Sequence, residues 1–430
     1  MTLSKRRELK KIELLSPAGN LTKLQIAINY GADAIYASVG NFSLRQRSAK
    51  DFTKESFAKG VEIAKEHGKK FYAAVNSFAF NSQLEKIKEH MNFLNELKVD
   101  GVIVSTPATI ALAKELLPHS QIHLSTQANV MNYLDAKFYY ELGVSRIVAA
   151  REMSLKDAIF IKEMLPNLEL EMFCHGSMCF AYSGRCLISA VQSGRFSNRG
   201  SCANDCRFNY ELYAKDPENG ALFRLEENSG DGTMIMNSKD LNLINHIEKL
   251  ISSNAIDSLK IEGRTKSEYY VACSTNAYRM AMDEYNTPKF DLSKYNYELN
   301  SLSNRGFMDG YVVKRPYERL DSQNLDSSQE DGTHQVVAMS DEEGYISVKS
   351  KIILQKPYEI LSANKQLECC DNDIGRIYQE NGRYMLIFKR LITKNQKELS
   401  EVHSGNLNPI KLPIKLAKFS FLREKIKENL

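Results

Sequence analysis

Residues 121–152 read QIHLSTQANVMNYLDAKFYYELGVSRIVAARE: a β-type run, a helical segment and a second β-type run. The first run ends in Ser125, Thr126 and Gln127, the helical segment DAKFYYELG stops at a glycine, and the second run, RIVAA, delivers Arg151 and Glu152. Strands and helices alternating at this length predict a parallel sheet wrapped by helices. Strand ends rich in chemically competent side chains favour a closed (β/α)8 TIM-type barrel over an open doubly wound sheet, because the barrel builds its active face from those ends.

The same rhythm extends from residue 12 to residue 264. Eight strands are predicted, starting at Ile12, Asp33, Lys70, Asp100, Gln121, Arg146, Leu168 and Asp257. Eight such units in roughly 270 residues match the usual size of the barrel. Other predicted strand ends carry Ser16 to Gly19, Asn76, Ser105, His175 and Lys260 to Arg264. Strands seven and eight are separated by roughly 80 residues, where a handful normally suffices, and such an insertion on the active face is a place for a lid or a cofactor. It includes an acidic, Gly-rich passage, Asp216 to Gly232. The polar run Ser322 to Thr333 marks a boundary, giving residues 1–330 as the barrel with its insertion and 331–430 as a second domain. There HQVVAMS, GYISVKS, KPYEILS and RYMLIFKR have the period of two expected of a small all-β, barrel-like unit.

The composition, 43% hydrophobic and 26% charged, is that of a globular chain able to bury a sizeable core. The early apolar run IELLSPAG is too short for a signal-peptide core or a membrane span, so a cytoplasmic protein without a membrane partner is expected. Net charge is only +4, but residues 381–430 hold eleven Lys and Arg against four Asp and Glu, a local +7. A basic face of that kind can hold phosphates; it can equally be a solvated lysine-rich surface.

Five of the eight cysteines lie between residues 174 and 206, four of them in the spacing C-x6-C-x15-C-x3-C from Cys179 through Cys186 and Cys202 to Cys206. In a reducing compartment such a cluster reads as a metal site before a disulfide framework. Four thiolates suit tetrahedral zinc or an iron–sulfur cluster, and spacing alone does not choose; reduced thiols without a metal are the remaining alternative. Cys174 alternates with Met172 on strand seven and is expected in the barrel wall, while Cys273, Cys369 and Cys370 are expected to behave as small hydrophobes. His175, at a strand end before Gly176, is a candidate acid, base or hydrogen-bond donor.

The stretch EMFCHGSMCFAYSGRCLIS, with RGSCANDCR, NSKDL, LSPAGN, GADAIYASVGNFSLR, HLSTQANVMN, AAREMS, KIEGR and NRGFMDGY, resembles the signature of the collagenase-like peptidase family U32, over about residues 12 to 315. The resemblance implies an oxygen-independent hydroxylase with a four-iron, four-sulfur cluster on Cys179, Cys186, Cys202 and Cys206. Cys174 stands where the family usually has an apolar residue. The β domain and NSKDL look most like the tRNA-hydroxylating branch, which implies 5-hydroxyuridine at the wobble position of tRNA with prephenate as hydroxyl donor.

The candidate catalytic residues are His175, Arg151 and Glu152; the candidate substrate-binding residues are Arg45, Asn76, Gln127 and Arg264. Arg45, Arg151 and Arg264 suit a dicarboxylate because guanidinium forks bind carboxylates in bidentate fashion, with salt bridges to Glu152 or Glu262 as the structural alternative. Tyr384, Phe388, Phe419 and Phe421, near lysines in the β domain, are expected to receive unstacked bases. Two other function classes are carried. A peptidase would need Cys174 or Cys179 activated by His175, since neither HExxH nor GxSxG occurs. A metal-stabilised RNA-binding scaffold would need no catalytic residues.

Overall fold

The computed structural model describes residues 11–40, 42–43, 52–208, 210–225, 236–313, 322–324 and 332–427, with backbone alone for 223–225. Strands β1 (Glu13–Pro17), β2 (Ala34–Ala37), β3 (Lys70–Val75), β4 (Gly101–Val104), β5 (Gln121–Leu124), β6 (Arg146–Val148) and β7 (Glu169–Ser177) pair in that order, all parallel. A closing strand, Ser258–Ile261, pairs in parallel with both β7 and β1, which completes an eight-stranded TIM-type barrel. The strands are buried on both faces, as the apolar runs of a helix-covered parallel sheet require.

Several helices begin within a few residues of the strand ends, at starts that a side chain caps. Asn20, Thr106, Asn132 and Ser154 accept backbone N–H groups in the first turns of α1 (Leu21–Asn29), of the helix Pro107–Leu116, and of the helices Tyr133–Glu141 and Leu155–Met164. Short strand-to-helix turns gather the polar strand ends at one rim. Among the described residues no helix is long and apolar enough to cross a membrane.

The opposite end of the barrel interior holds a knot of buried charge. Arg146 lies 2.5 Å from Glu13, 2.7 Å from Glu169 and 3.2 Å from Glu171, and Lys260 lies 2.7 Å from Glu171. The Tyr72 hydroxyl donates to Glu13 at 2.8 Å.

The sheet also extends at the active rim. Asp240–Asn242 runs antiparallel to the end of β7, placing Asn242 opposite His175, and Phe307–Met308 runs beside it. Arg305 forms a buried ion pair with Asp240 and donates to the Ser238 carbonyl, tying NSKDL to NRGFMDGY. These additions were not anticipated, since two- and three-residue strands carry no period of their own.

Two compact units are present, Met1–Asn296 with Asn304–Glu330, and Tyr297–Ser303 with Asp331–Leu430. The second is built on an eight-stranded antiparallel half-barrel in the order Cys370–Asp371, Gly375–Glu380, Arg383–Phe388, Pro357–Leu361, Phe421–Lys425, His334–Ser340, Tyr345–Val348 and Ile410–Lys411. Here one expectation fails. Phe388, Phe419 and Phe421 are buried, and Tyr384 packs half-buried against the same core, so these rings stabilise the sheet and are not open to bases. The basic excess is also diluted: residues 331–380 hold five Lys and Arg against nine Asp and Glu, which reduces the +7 of 381–430 to +3. Lys389, Lys394 and Lys418 face Asp371, Glu343 and Glu342.

Inside this unit Arg423, fully buried, grips Glu298 at 2.7 Å and Glu359 at 2.6 Å, while Arg383 contacts both. Burial pushes both carboxyls up, but the charge and hydrogen bonds of Arg423, with Arg383, outweigh it and hold both below the ordinary 4.5. Carboxyls depressed in the folded state add stability above their unfolded value and lose it as pH falls below that value. Thermal melting of the second unit is therefore expected to drop on acidification below about pH 4.3, and Arg423→Met should lower the neutral-pH melting temperature and flatten that acid dependence. An unchanged acid slope would contradict this origin.

Candidate active site at the barrel mouth

The polar strand ends form a linked layer. The Ser105 hydroxyl lies 2.8 Å from both the Asn76 carbonyl oxygen and Gln127 Oε1, and Asn76 Nδ2 donates to Ser125 Oγ at 3.2 Å. Asn76 thus orients the ends of β3 to β5 and stands behind Gln127, which faces a cavity of ≈ 160 Å³. The wall of that cavity also includes Tyr36, Arg151, Arg207, Glu262 and Arg264. Arg264 is buried, and its Nη1 donates to Ser38 Oγ at 2.5 Å and Ser43 Oγ at 3.3 Å. Arg151 lies 4.3 Å over the Phe173 ring, and its buried Nε has no hydrogen-bond partner among the described residues.

The remaining wall is the cysteine-rich insertion, which contributes Cys179, Cys186, Cys202 and Cys206 together. Its backbone is pressed onto the barrel: Gly184 has φ +76°, and a Cβ there would lie 2.4 Å from the Gln127 carbonyl oxygen. Only glycine suits that approach. Glu152 holds the same loop, accepting the Ser183 N–H at 3.1 Å and the Ser183 hydroxyl at 3.3 Å. The short helix Ile188–Ser193 supplies Ser189, whose hydroxyl accepts from Ala203 N–H at 3.1 Å and lies 3.9 Å from Cys202 Sγ. Ser197 donates to the Cys186 carbonyl oxygen at 2.9 Å. Burial raises the Cys206 thiol, Arg207 lowers it, and the other three thiols of the set raise it further. All four thiols face one space. Among the described residues no three His, Cys, Asp or Glu side chains close around a point as a single ion requires.

The other candidates fall elsewhere. His175 is buried, stacked among Tyr270, Tyr278 and Phe307 at 5.6–5.8 Å, and does not reach the cavity. Burial and the Lys266 ammonium push its imidazole down to about 3, so it is neutral near pH 7. Its backbone carbonyl accepts from Glu262 N–H, and Gly176, at φ +119° with no room for a Cβ beside Glu262, makes that approach possible. Arg45 lies outside the described residues. Cys174 is buried with its thiol 3.5 Å from the Lys260 carbonyl oxygen, and Cys273 is buried in the helix Glu268–Glu284; Cys369 is exposed and Cys370 half-buried. Glu262, Tyr36 and Arg207 were missed as cavity residues, although the first belongs to KIEGR and the last directly follows Cys206.

The family model for peptidase family U32 matches residues 19–322, which takes in the barrel from α1 onward and the insertion. The chain belongs to peptidase family U32. Its similarity to the tRNA hydroxylation protein P of Helicobacter pylori (strain ATCC 700392 / 26695) is 52% identity over 421 residues, 97% of this chain and 100% of that one. Similarity to the tRNA hydroxylation protein P1 of Bacillus subtilis (strain 168) is 36%, covering 88% of this chain and 89% of that one. A collagenase of Porphyromonas gingivalis (strain ATCC BAA-308 / W83) is 30% identical over 70% of this chain and 73% of its own. The two tRNA hydroxylation proteins therefore match this chain further along its length than the collagenase does.

Proposed function

We propose that this protein is a tRNA-modifying hydroxylase that makes 5-hydroxyuridine at the wobble position without molecular oxygen, with prephenate as hydroxyl donor and a four-iron, four-sulfur cluster held by Cys179, Cys186, Cys202 and Cys206. The observation that carries this reading is one cavity at a barrel mouth lined by all four thiols, Gln127 and three arginines. The full-length similarity to proteins called tRNA hydroxylation proteins supports the RNA substrate. Four thiols suit zinc or an iron–sulfur cluster alike, and the resemblance of the cysteine motif to family U32 favours the cluster. Such a cluster would supply a Lewis-acidic or redox-active iron beside the substrate.

The protein's own groups bind and orient. Arg264, braced by Ser38 and Ser43, and Arg151, whose buried Nε has no hydrogen-bond partner among the described residues, present guanidinium groups to the two carboxylates of the donor. Gln127, locked by Ser105, offers its amide nitrogen to a base edge. Replacing the C5 hydrogen by hydroxyl removes two electrons from the base; the donor carbon takes up those two electrons as its C–O bond breaks and gains a proton to replace the one lost from C5, so hydrogen and hydroxyl are exchanged between the two reactants. Arg151 and Gln127 act directly on reactants in this reading; Glu152 acts by positioning Ser183 and the cysteine loop.

Mass spectrometry of nucleosides from a strain lacking the gene tests the reading. Loss of 5-hydroxyuridine and its derivatives from tRNA is expected, with return on complementation by the wild type and at least a tenfold smaller return with Arg151→Met. An unchanged nucleoside profile in the deletion strain would overturn it.

A further inference from the structure

The rings expected to stack RNA bases in the second unit are buried, whereas the insertion exposes aromatic side chains in the same span that carries the cysteines. Phe180, Tyr182, Phe196 and Phe208 are each more than half exposed. Phe180 and Tyr182 also line the cavity, so they form part of its rim. Between residues 178 and 208 the only charged side chains are Arg185, Arg195, Arg199, Arg207 and the buried Asp205. One platform is already assembled: the Arg199 guanidinium sits 3.8 Å over the ring of Phe80, itself exposed, and donates to Gln83 Oε1 at 3.1 Å.

We infer that this rim is a docking surface for a single-stranded RNA loop, in which unpaired bases stack on Phe180 and Tyr182 while the arginines hold the flanking phosphates. Aromatic faces interleaved with cations bind single strands because every base has a stackable face and every linkage an anion. Charge complementarity selects RNA over a protein partner, since four cations face one buried acid and four of the six large exposed apolar side chains here are aromatic. Bases stacked at the rim would lie beside the wall formed by Gln127, Arg151 and the thiols. The inference rests on the hydroxylase reading and adds where the RNA lies.

The test uses anaerobically purified full-length protein and an unmodified anticodon stem-loop transcript with uridine at the wobble position. Phe180→Ala and Tyr182→Ala should each weaken binding about tenfold or more, the stacking value of one base. Tyr182→Phe should bind as the wild type does, and Arg199→Gln should reduce the salt dependence of binding. Phe138→Ala, at an exposed ring on the helix Tyr133–Glu141, should leave affinity unchanged. Alanine variants that melt and bind metal as the wild type does yet keep full affinity would overturn the inference. The nucleoside profile separates the two proposals: a wild type that modifies tRNA while the alanine variants modify it equally well removes the docking surface alone, whereas an unmodifying wild type removes the hydroxylase reading.

Discussion

Replacing any one of Cys179, Cys186, Cys202 or Cys206 by serine is expected to abolish the visible absorbance of anaerobically purified protein and to stop accumulation of 5-hydroxyuridine in tRNA. All four thiols line one cavity, and serine substitutes a hard, protonated hydroxyl for a soft thiolate, so a cluster that needs four sulfur ligands loses one. The wild type should contain about four irons per chain. The barrel should survive, because the four cysteines lie in the insertion and none belongs to the barrel wall. Cys174→Ala provides the contrast: that thiol is buried against the Lys260 carbonyl, outside the cavity, so colour and product should persist at some cost in stability. Stoichiometric zinc in a colourless wild type, or a serine variant that still forms product, would sink the cluster assignment.

The barrel was legible in the sequence because its strands are short apolar runs and most are followed by a helix, several of them capped, and both signals are local. All eight predicted strand starts fall within one residue of the observed ones. Closure is non-local, yet the polar residues at the strand ends implied it, and Gln127, Arg151 and Arg264 do share a cavity with the cysteines. His175 illustrates the limit of that inference. Position at a strand end says which rim a residue is near, but Tyr270 and Tyr278 of the helix Glu268–Glu284 and Phe307 of a two-residue strand enclose the imidazole and make it a packing element. A two-residue strand gives no periodicity from which such an enclosure could be read.

The aromatic side chains failed for a related reason. Proximity in sequence to lysine cannot distinguish a ring on the solvent face of a strand from one on the core face, because the two alternate at every residue. Phe388 falls on the core face, and Phe421, next to the core residue Leu422 and so on the other face of its strand, is buried as well. In the insertion between residues 178 and 208, regular structure is limited to short helical turns, so there was no period from which exposure could be judged.

Arg146→Met should be the most destabilising single change in the barrel, costing about 3–5 kcal/mol in chemical denaturation, the range for removing one partner of a buried charge network. Arg146 is 2% exposed and serves three carboxylates whose positions along the chain are 133, 23 and 25 residues away, so only barrel closure assembles the group. Without the guanidinium, Glu171, which is fully buried, keeps Lys260 as an ion-pair partner, while Glu13 loses its closest cation. The loss should be sensitive to the second carboxylate. Glu13→Gln in the Arg146→Met background removes the carboxylate left without its close cation, so the two substitutions should be non-additive by about 1–3 kcal/mol in a double-mutant cycle. Additive losses, or a single-variant cost near 1 kcal/mol of the kind seen for exposed pairs, would mean that water reaches the knot and that closure rests on the apolar wall instead.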